Sequence, residues 1–484
     1  WAYSLSQSEY FAQFEHIQHA IRRGDTYQVN FCMRQSAHFE GKAIDLFHQM
    51  ATHAPYAALI EWEEYAICSA SPELFFTKKD STITARPMKG TIARGRTTAE
   101  DAQQVERLKT SAKDRAENVM IVDMIRNDLG RIARAGTVDF PHLYSIEKYP
   151  TVWQMTSTIT AEVTVGFVPI MKALFPCASI TGAPKTSTMQ IIHATEQASR
   201  HIYTGTIGFI APDGSMQFNV AIRTALLNKQ TKQLEYGMGS GVTVQSDAQK
   251  EYEECLLKTQ IIQQQRPNFK LLESMRFTPA TGIFLLERHL ERLRDTAQYF
   301  NYNLRESILV DKLEQLSYKT PQKIRLLVAD DGSFEIQHSP ISIERPTTWR
   351  VALADTPVDQ TDVFLWHKTT HRPAYKRALA QHKDAQDVIL YNRLGELTES
   401  CYGNIVIKKD GVCYTPPVSC GLLDGTLRRE LVELGWLQEE ILYLEDLRDA
   451  DQVYIINSVR LFVTAQLPHL AFEYKTTENA QQNS

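Results

Sequence analysis

The stretch "QQQRPNF" at residues 263–269 constrains the fold of this chain more than any other feature. Before it, "DAQKEYEECLLKTQII" has the spacing of a helix, and after it "KLLESMRF" alternates like a strand. Because 484 residues exceed what a single ordinary core holds, this polar, proline-containing break predicts a domain boundary. We expect a first domain over 1–262, a linker over 263–269 and a second domain over 270–484.

Composition and charge exclude several classes of protein. With 43% hydrophobic residues, 23% charged residues and a net charge of −5, the chain offers no basic surface for nucleic acid or an anionic membrane. It contains no apolar run of membrane-spanning length and no signal-peptide pattern. It begins with Trp1 rather than methionine, so we expect that an N-terminal segment is missing. Seven scattered cysteines, never spaced as Cys-x-x-Cys, argue against disulfides or a zinc site and predict a cytoplasmic protein.

Both halves mix helices and strands, which predicts an α+β or α/β fold class. Residues 106–132 have the pattern of one long amphipathic helix with Gly130 as its C-cap. The strand-like segments are 201–212, 215–227 and 233–244 in the first half and 414–415 and 452–457 in the second.

Two acidic pairs in the first half lie at helical spacing. Asp114 and Glu117 are three residues apart on one predicted helix, and Glu251 and Glu254 are three apart on another. Each pair alone is typical of a solvated helix face. Together they could supply the hard oxygen ligands that Mg²⁺ prefers, and the spacing alone does not decide between these readings.

The glycine-rich segment "YGMGSGVTVQSD", 236–247, lacks both the Rossmann spacing and the Walker lysine, which excludes nucleotide binding. Gly239 and Gly241 would let backbone N–H groups close around a small anion such as a carboxylate, whereas the alternative is a β-bulge. Arg223 and Tyr203 lie on neighbouring strand-like segments, where a buried arginine needs an anionic partner.

A single amine stands in "ARPMKGTIARG", 85–95, where Lys89 lies between a proline-led turn and a glycine, flanked by Arg86 and Arg94. The ordinary interpretation is a surface lysine in a loop. Seven blocks in order then show a resemblance: the first half is similar to the chorismate-utilising enzymes across residues 5–262. The blocks are "GDTYQVNF" (24–31), "SPELF" (71–75), "RPMKGT" (86–91), "AENVMIVDMIRNDLGR" (116–131), "SITGAPK" (179–185), "AIRT" (221–224) and "GMGSGVTVQSD" (237–247).

This resemblance implies an α/β sandwich of antiparallel sheets around a chorismate site with one Mg²⁺. Anthranilate synthases usually carry alanine at the position of Lys89, and aminodeoxychorismate synthases carry lysine. The resemblance therefore implies that the Lys89 amine attacks C2 of chorismate as the C4 hydroxyl leaves, after which ammonia adds at C4 and expels the lysine. Arg86, Arg94 and Mg²⁺ are candidates for lowering the pKa of this amine. Gln28 stands where isochorismate synthases tend to place a water-activating lysine.

The same resemblance assigns the remaining roles in the first half. Glu117 and Glu254 are the expected Mg²⁺ ligands, with Glu251 and Asp114 as ligands or their neighbours. The expected chorismate contacts are Arg223, Tyr203, Gly239, Gly241, Ser179, Thr181 and Gln154. Two positions depart from the family: Gln154 occupies a place where many relatives have histidine, and Gln245 replaces a common aspartate.

In the second half, "LWHKTTHRPAY" (365–375) contains Lys368 with Arg372 four residues later, one turn of a helix. Glu399 lies between strand-like pieces of "GELTESCYGNIV" (395–406). The turn in "CGLLDGTLRRELVELG" (420–435) opens a helix, which is a natural phosphate seat. The alternative is an ordinary helix with Asp424 as N-cap.

A lysine, a carboxylate and a helix-end phosphate seat are the parts that pyridoxal phosphate needs. In their order these blocks resemble the fold-type-IV pyridoxal phosphate family of transaminases and aminodeoxychorismate lyase, over residues 270–465. The resemblance implies that Lys368 is the Schiff-base lysine and proton shuttle and that Glu399 pairs with the pyridine nitrogen. The residues implied for the phosphate are Arg292, Thr426, the Leu427 backbone, Asn457 and Ser458.

Together the two halves predict synthesis of 4-aminobenzoate, with Mg²⁺-dependent amination of chorismate followed by elimination of pyruvate. No block resembles a glutamine amidotransferase, so we expect ammonia from a separate glutaminase subunit. The alternatives are anthranilate synthase component I fused to a class IV aminotransferase, and an inactive scaffold that binds the glutaminase. A homodimer through the second domain is left open.

Overall fold

The computed structural model describes residues 1–51, 54–263, 267–342 and 348–467, so residues 264–266 of the predicted linker lie outside the described part. The chain divides into two compact units. The first consists of Trp1–Arg94 and Ala102–Arg266, and the second of Gly95–Asp101 and Pro267–Ser484. The short segment Gly95–Asp101, which the sequence places in the first domain, therefore belongs to the second unit. In the described residues, no helix is both long and apolar enough to cross a membrane.

The helices up to residue 263 are Gln7–Arg23 (α1), Ala43–Ala51 (α2), Thr98–Thr110 (α3), Ala112–Gly130 (α4), Phe167–Leu174 (α5), Lys185–Thr195 (α6), Ala248–Lys258 (α7) and Gln260–Gln263 (α8), with a 3-10 turn at Ala178–Ile180. The strands are Ala2–Tyr3 (β1), Gln28–His38 (β2), Tyr56–Glu61 (β3), Tyr65–Ser71 (β4), Leu74–Lys79 (β5), Thr82–Arg86 (β6), Met88–Ala93 (β7), Asp139–Lys148 (β8), Val152–Glu162 (β9), Gly182–Ala183 (β10), Thr206–Ile210 (β11), Met216–Val220 (β12), Thr224–Asn228 (β13) and Gln233–Thr243 (β14).

These strands form two antiparallel sheets of seven. One runs β1-β2-β14-β13-β4-β3 with β10 added to β2, and the other runs β11-β12-β5-β6-β9-β7 with β8 added to β9. Helices α4 and α5 bury their apolar faces, including Ile121, Ile125 and Ile170, against the second sheet. Helices α1 and α7 cover the first sheet through Ile17 and Cys255. The predicted fold class, with antiparallel sheets and helices combined, is confirmed for this unit.

The helix predicted over 106–132 is wrong as a single element. It is two helices, α3 and α4, which break at Ser111 because the serine side chain accepts a hydrogen bond from the Asp114 N–H and caps α4. Gly130 is the last residue of α4, and the C-cap is Arg131. The β-bulge considered for the glycine-rich segment is also excluded, since β14 pairs with β2 in unbroken register from Gln233 to Thr243.

In the second unit the helices are Leu286–Phe300 (α9), Glu306–Glu314 (α10), Pro373–Gln381 (α11), Thr426–Glu433 (α12) and Leu444–Arg448 (α13), with 3-10 turns at Val363–Leu365 and Val418–Cys420. The strands are Leu271–Thr278 (β15), Gly282–Ile283 (β16), Gln322–Val328 (β17), Phe334–Pro340 (β18), Thr348–Leu353 (β19), Asp387–Tyr391 (β20), Leu397–Ser400 (β21), Asn404–Lys409 (β22), Val412–Thr415 (β23), Gln438–Glu439 (β24), Gln452–Asn457 (β25) and Leu461–Gln466 (β26).

A four-stranded antiparallel sheet, β16-β15-β17-β18, packs against α9 and α10. The remaining eight strands run β21-β20-β19-β26-β25-β22-β23-β24, and β21 also pairs with β22, which closes the sheet into a barrel. The predicted class IV fold is confirmed in this arrangement. One local prediction and one alternative are wrong. Lys368 and Arg372 share no helix, because α11 begins only at Pro373, and the N-cap of α12 is Gly425 rather than Asp424.

Candidate active sites

The first candidate site is centred on the free face of Gly241 in β14. A Cβ placed on this glycine would lie 3.0 Å from the Lys89 Nζ and 2.9 Å from the Gln28 Nε2, so both side chains converge on one point. Lys89 is thus directed into the interior of the unit from β7, not into a surface loop. The Gln28 Oε1 is buried and has no hydrogen-bond partner in the described residues. An unpartnered amide oxygen beside an amine is suited to accept a hydrogen bond from a small donor.

The backbone around Lys89 is held by two neutral side chains. Gln154 in β9 donates to the Gly90 carbonyl at 3.0 Å and accepts from the Thr91 hydroxyl at 3.1 Å. Asn118 in α4 donates to the Lys89 carbonyl at 3.3 Å. Both ends of the Gln154 amide are therefore engaged with β7, so this side chain helps to position the lysine strand, and its contact with chorismate stays a prediction.

The two arginines that flank Lys89 in the sequence each have a partner of their own. Arg86 forms an ion pair with Glu147. The Arg94 guanidinium lies 5.4 Å from the centre of the Trp153 ring.

Glu73 is a buried carboxyl group close to Lys89, with 3% of its surface exposed. Burial raises the pKa of Glu73 to about 7, although a hydrogen bond from Ser179, the charge of Lys89 and the Met88 backbone lower it. Its Oε1 has no hydrogen-bond partner among the described residues. A carboxyl that is half protonated near neutral pH can act as a general acid toward a group bound beside the amine.

Three carboxylates of α4 and α7 interact near Lys89. The pKa of Glu117 is raised, chiefly by burial. The positive charges of Lys89 and Lys113 lower it, and the negative charges of Asp114 and Glu251 raise it. The side chain of Glu251 is itself 8% exposed. Like charges held this close together mark a place that favours a cation.

The fit of this place to Mg²⁺ depends on Glu254. Burial raises the pKa of Glu254, but the charge of Lys258 and its 2.6 Å hydrogen bond bring it below its ordinary value. Lys258 also donates to the Gly239 carbonyl at 2.7 Å. Across the described ranges, no group of three or more acidic, histidine or cysteine side chains is already gathered as a metal site. The carboxylate oxygens suit Mg²⁺, and Glu254 must break its hydrogen bond with Lys258 in order to bind the metal.

Of the residues expected to hold chorismate, the structure leaves some open to a ligand and packs others into the strands. The Arg223 guanidinium is desolvated, which lowers its pKa, and it lies 6.0 Å from the centre of the Tyr149 ring with no carboxylate partner in the described chain. It remains available for an anion. Tyr203 instead packs under β14, where its ring lies 2.2 Å from a Cβ placed on Gly237. A Cβ on Gly239 would lie 2.6 Å from the Phe31 carbonyl oxygen, so strand packing requires that glycine.

The 3-10 turn at Ala178–Ile180 brings two further candidates together with different roles. Ser179 donates a hydrogen bond toward the Glu73 carboxyl. The Thr181 hydroxyl donates a hydrogen bond to the Cys177 carbonyl at 2.9 Å, and the Thr181 carbonyl accepts one from the Asn30 N–H. Ser179 therefore faces the site, whereas Thr181 stabilises the turn.

The second candidate site surrounds Lys368. Burial, together with Arg292 and Arg372, lowers the pKa of this lysine to about 7, against the opposing effects of Glu273 and Glu399. The Lys368 carbonyl accepts from Leu272 N–H at 3.0 Å, which ties the segment to β15. An amine that is substantially neutral at physiological pH is suited to nucleophilic attack and to proton transfer.

Glu399 in β21 is the carboxylate of this site. Tyr375 donates to its Oε1 at 2.6 Å, and the Leu423 N–H donates to the same oxygen at 3.2 Å. Burial raises the pKa of Glu399 to about 7, and these two hydrogen bonds, Arg372 and Lys368 lower it. A nearby cation such as a protonated pyridine nitrogen would favour the ionised form.

Arg292 is fixed by a buried network. Glu273 accepts from its Nε at 2.9 Å and its Nη2 at 2.7 Å, and also from the His289 Nδ1 at 2.7 Å. Burial alone would raise the pKa of Glu273, but the charges and hydrogen bonds of Arg292 and His289 lower this pKa to about 2. The remaining Arg292 nitrogen, Nη1, donates to the Asp424 carbonyl just before α12. The guanidinium is thereby oriented toward the beginning of that helix, where Thr426 lies.

A cavity of about 650 Å³ connects these groups, and its lining includes Lys368, Glu399, Arg292, Thr426, Asn457 and Ser458. The Leu427 side chain packs elsewhere, with Val406, Leu437 and Ile456, and the prediction for this residue concerns its backbone alone. The Asn457 Oδ1 accepts from the backbone N–H groups of Val459 and Arg460, so this side chain shapes a turn.

These residues fit pyridoxal phosphate. Gly425 leaves α12 without a side-chain cap, and a Cβ there would lie 1.9 Å from the Asn404 Oδ1. The first N–H groups of α12 thus stay open to an anion, beside Arg292, while Lys368 and Glu399 lie in the same cavity.

Several residues of both sites had no role in the sequence analysis. Glu73 lies inside the quoted block "SPELF", yet only its burial reveals its chemistry. Lys258 could have been found from its position one helical turn after Glu254. Tyr375 and Glu273 carry no local signal, since each acts through a partner that is distant in sequence.

Comparison with known proteins agrees with this geometry. Residues 1–264 match the model of the chorismate binding enzyme family, and residues 270–466 match amino-transferase class IV. Aminodeoxychorismate synthase component 1 of Escherichia coli (strain K12) is 39% identical over 269 residues, which are 55% of this chain and 59% of that protein. The protein of the same name from Bacillus subtilis (strain 168) is 38% identical over 248 residues, 50% of this chain and 52% of that protein. The chain thus spans between half and three fifths of the length of these relatives.

A solved structure of anthranilate synthase component I from Streptococcus pneumoniae TIGR4 aligns with a TM-score of 0.50 and 27% identity, over 54% of this chain and 59% of that one. The first family match covers more than half of the sequence. This chain therefore belongs to the chorismate binding enzyme family, and an amino-transferase class IV domain follows its chorismate-binding domain.

Proposed function

We propose that this chain makes 4-aminobenzoate from chorismate in two steps, an amination in the first domain and an elimination of pyruvate in the second. The observation that carries the proposal is the convergence of the Lys89 amine and the Gln28 amide on Gly241, with the buried Glu73 carboxyl beside them. Relatives named aminodeoxychorismate synthase component 1 support the first step.

In the first step, the Lys89 amine forms a bond to C2 of chorismate, both ring double bonds shift, and the C4–O bond breaks. Glu73 in its protonated form gives its proton to the departing hydroxyl, which leaves as water. Ammonia then bonds to C4, both double bonds return to their original positions, and the C2–N bond to Lys89 breaks. The extra proton on the new amine passes to Glu73. The unpartnered Gln28 Oε1 accepts a hydrogen bond from ammonia and directs it to C4.

The carboxylates of this site would hold Mg²⁺, and the unpaired Arg223 would hold a second anionic group of the substrate. Glu117, Glu251, Glu254 and Asp114 are the proposed ligands or their neighbours, with Lys258 as the counter-ion that yields to the metal. Bound Mg²⁺ would neutralise a chorismate carboxylate.

In the second step, pyridoxal phosphate would supply an electron sink for the carbon that bears the amine. Arg292, Thr426 and the N-terminal N–H groups of α12 would bind and orient the phosphate. Lys368, with its pKa of about 7, removes the proton from C4 of the intermediate. The C3–O bond then breaks, the side chain leaves as enolpyruvate, and the ring becomes aromatic as 4-aminobenzoate. Enolpyruvate becomes pyruvate by taking up one proton, which balances the proton removed from C4.

Three further parts of the proposal concern the surroundings of the enzyme. A separate glutaminase subunit would supply ammonia, which is consistent with relatives designated component 1. A homodimer through the second domain is proposed as one assembly. All seven cysteines are free, and this fits the reducing cytoplasm.

The decisive experiment is a product assay on the intact chain with chorismate, ammonium, Mg²⁺ and pyridoxal phosphate. Chromatography should show 4-aminobenzoate and pyruvate in equal amounts. Anthranilate as the product would establish the alternative of an anthranilate synthase with an aminotransferase. If there were no chorismate turnover and no cofactor absorbance at 330–400 nm, the alternative of an inactive scaffold would be supported.

A further inference from the structure

Three cations line the cavity of Lys368 on the side formed by β17 and by the turn before β26. Lys323 and Arg325 are two residues apart in β17, so their side chains emerge on the same face of the strand. Arg460 follows the turn that Asn457 holds through its 2.8 Å contact with the Arg460 N–H. All three belong to the lining of the same 650 Å³ cavity as Lys368.

These three charges lack the compensation that the other arginines of the cavity have. Arg292 is paired with Glu273, and Arg372 lies 4.2 Å from the centre of the Tyr375 ring and donates to the Cys401 carbonyl. By contrast, in the part of the chain that the structure describes, neither Lys323 nor Arg325 nor Arg460 has a carboxylate within ion-pair distance.

The three cations also act on one another. Partial burial lowers the pKa of Lys323, and the charges of Arg325 and Arg460 lower it further. Like charges that face one cavity repel, and although solvent screens this repulsion at the exposed Lys323 and Arg460, an anionic ligand would relieve it further. The phosphate seat is supplied elsewhere, by Arg292 and α12, so the ligand for these cations must be a different anion.

The same wall of the cavity presents aromatic surface. The Arg460 guanidinium lies 5.2 Å from the centre of the Trp349 ring, and Trp349 meets Tyr402 edge-to-face with ring centres 6.4 Å apart. Aromatic faces next to arginine and lysine suit a flat ring that carries carboxylates, because the ring packs against the aromatic side chains while the carboxylates reach the cations.

We propose that Lys323, Arg325 and Arg460 form a dicarboxylate subsite, which selects a cyclic substrate with two carboxylates over an amino acid with one. This inference rests on the proposed function and deepens it, because the amination product keeps both the ring carboxylate and the enolpyruvyl carboxylate of chorismate. A general transaminase substrate leaves at least one of these cations uncompensated. The subsite therefore directs the second domain toward elimination chemistry on the chorismate-derived intermediate.

The test measures binding to the holoenzyme of two probes that have no amine and cannot react. 3-(Carboxymethoxy)benzoate has two carboxylates, and 3-methoxybenzoate has the same ring with one. Titration calorimetry, supported by the change in cofactor absorbance, should show the dicarboxylate binding at least about tenfold more tightly, since a hydrogen bond to a charged group is worth about that much. Lys323→Gln with Arg460→Gln should lose this preference, so that the two probes bind with similar affinity, while cofactor absorbance stays unchanged.

The exposed Lys312→Gln serves as the matched control and should bind both probes like wild type. Equal affinity of the wild type for the two probes, or a preference that survives in the double variant, would overturn the subsite. The outcome is separable from that of the product assay, because binding is measured without turnover. A protein that makes no 4-aminobenzoate yet prefers the dicarboxylate would refute the proposed function and leave the subsite standing.

Discussion

Replacing Glu73 with glutamine should abolish amination and, at the same time, stabilise the first domain at neutral pH. Glutamine has nearly the same shape as glutamate but never ionises, so it removes both the proton that Glu73 donates and the penalty of its buried charge. General acid catalysis is typically worth ~10²–10⁴-fold in rate, and we expect a loss of chorismate turnover in that range. In the wild type, turnover should decline as pH rises above about 7, because the donor loses its proton there.

The size of the stability effect follows from the burial of this carboxyl. Its pKa is raised from an ordinary 4.5 to about 7, and each pKa unit corresponds to about 1.36 kcal/mol, so ionisation in the folded state costs about 3 kcal/mol. For a group whose folded pKa is raised, the stabilisation is fully present below the unfolded value and is lost as pH rises to the folded value. The free energy of unfolding of the wild type should therefore fall relative to Glu73→Gln by about 2 to 3 kcal/mol between pH 5 and pH 8.

Differential scanning calorimetry at these two pH values measures the difference. In a domain of this size, each kcal/mol of stability shifts the melting temperature by about 2–4 °C. The difference in melting temperature between Glu73→Gln and wild type should therefore be about 5–10 °C larger at pH 8 than at pH 5. The transition of the first domain is identified as the one that we expect chorismate to shift. Glu63→Gln, at an exposed position, is the control and should show no such pH-dependent gain. Equal melting differences at both pH values, or near-wild-type turnover of Glu73→Gln, would refute the reasoning.

The remaining predictions concern the lysines and the metal. Lys89→Ala should reduce amination of chorismate to below about 1% of wild type while the cofactor spectrum is unchanged. Lys79→Ala, at an exposed position, is the control and should stay active. Amination by Lys89→Ala at the normal rate would exclude covalent attack by this lysine. Lys368→Ala should lower 4-aminobenzoate release by at least ~10²-fold and accumulate the aminated intermediate, so undiminished product in chromatography would show that another lysine moves the proton. Glu117→Gln or Glu254→Gln should lose Mg²⁺-dependent turnover, and full activity of either variant in EDTA would exclude these helices as the metal site.

Local sequence patterns predicted the elements of the fold well where one signal acted alone. They failed where two signals competed. The apolar spacing of residues 106–132 continues across Ser111, so the period favours one helix while the serine caps a new one. The interval between Lys368 and Arg372 suggests a helical turn, but Pro373 disfavours helical backbone at the residue before it, and this signal was present in the sequence.

The chemistry of the candidate sites depended more strongly on tertiary context. The pKa values of Glu73 and Lys368 follow from burial by segments distant in sequence, which no local pattern encodes. Asp424 resembles a helix cap by position, yet its carboxylate pairs with Arg428 and Arg429 instead. Such competition between nearby partners is resolved only when the helix packs in the folded domain.

The unbroken pairing of β14 with β2 fixes the number of residues in this strand as firmly as packing fixes its glycines. Insertion of a single residue between Gly237 and Gly241 would turn the free face of Gly241 away from Lys89, because side-chain direction alternates along a strand. The hairpin at residues 229–232 lies outside this pairing and carries exposed residues, so it should accept an insertion. Engineered loops, labels or fused peptides therefore belong in that hairpin and not in the strand that follows it.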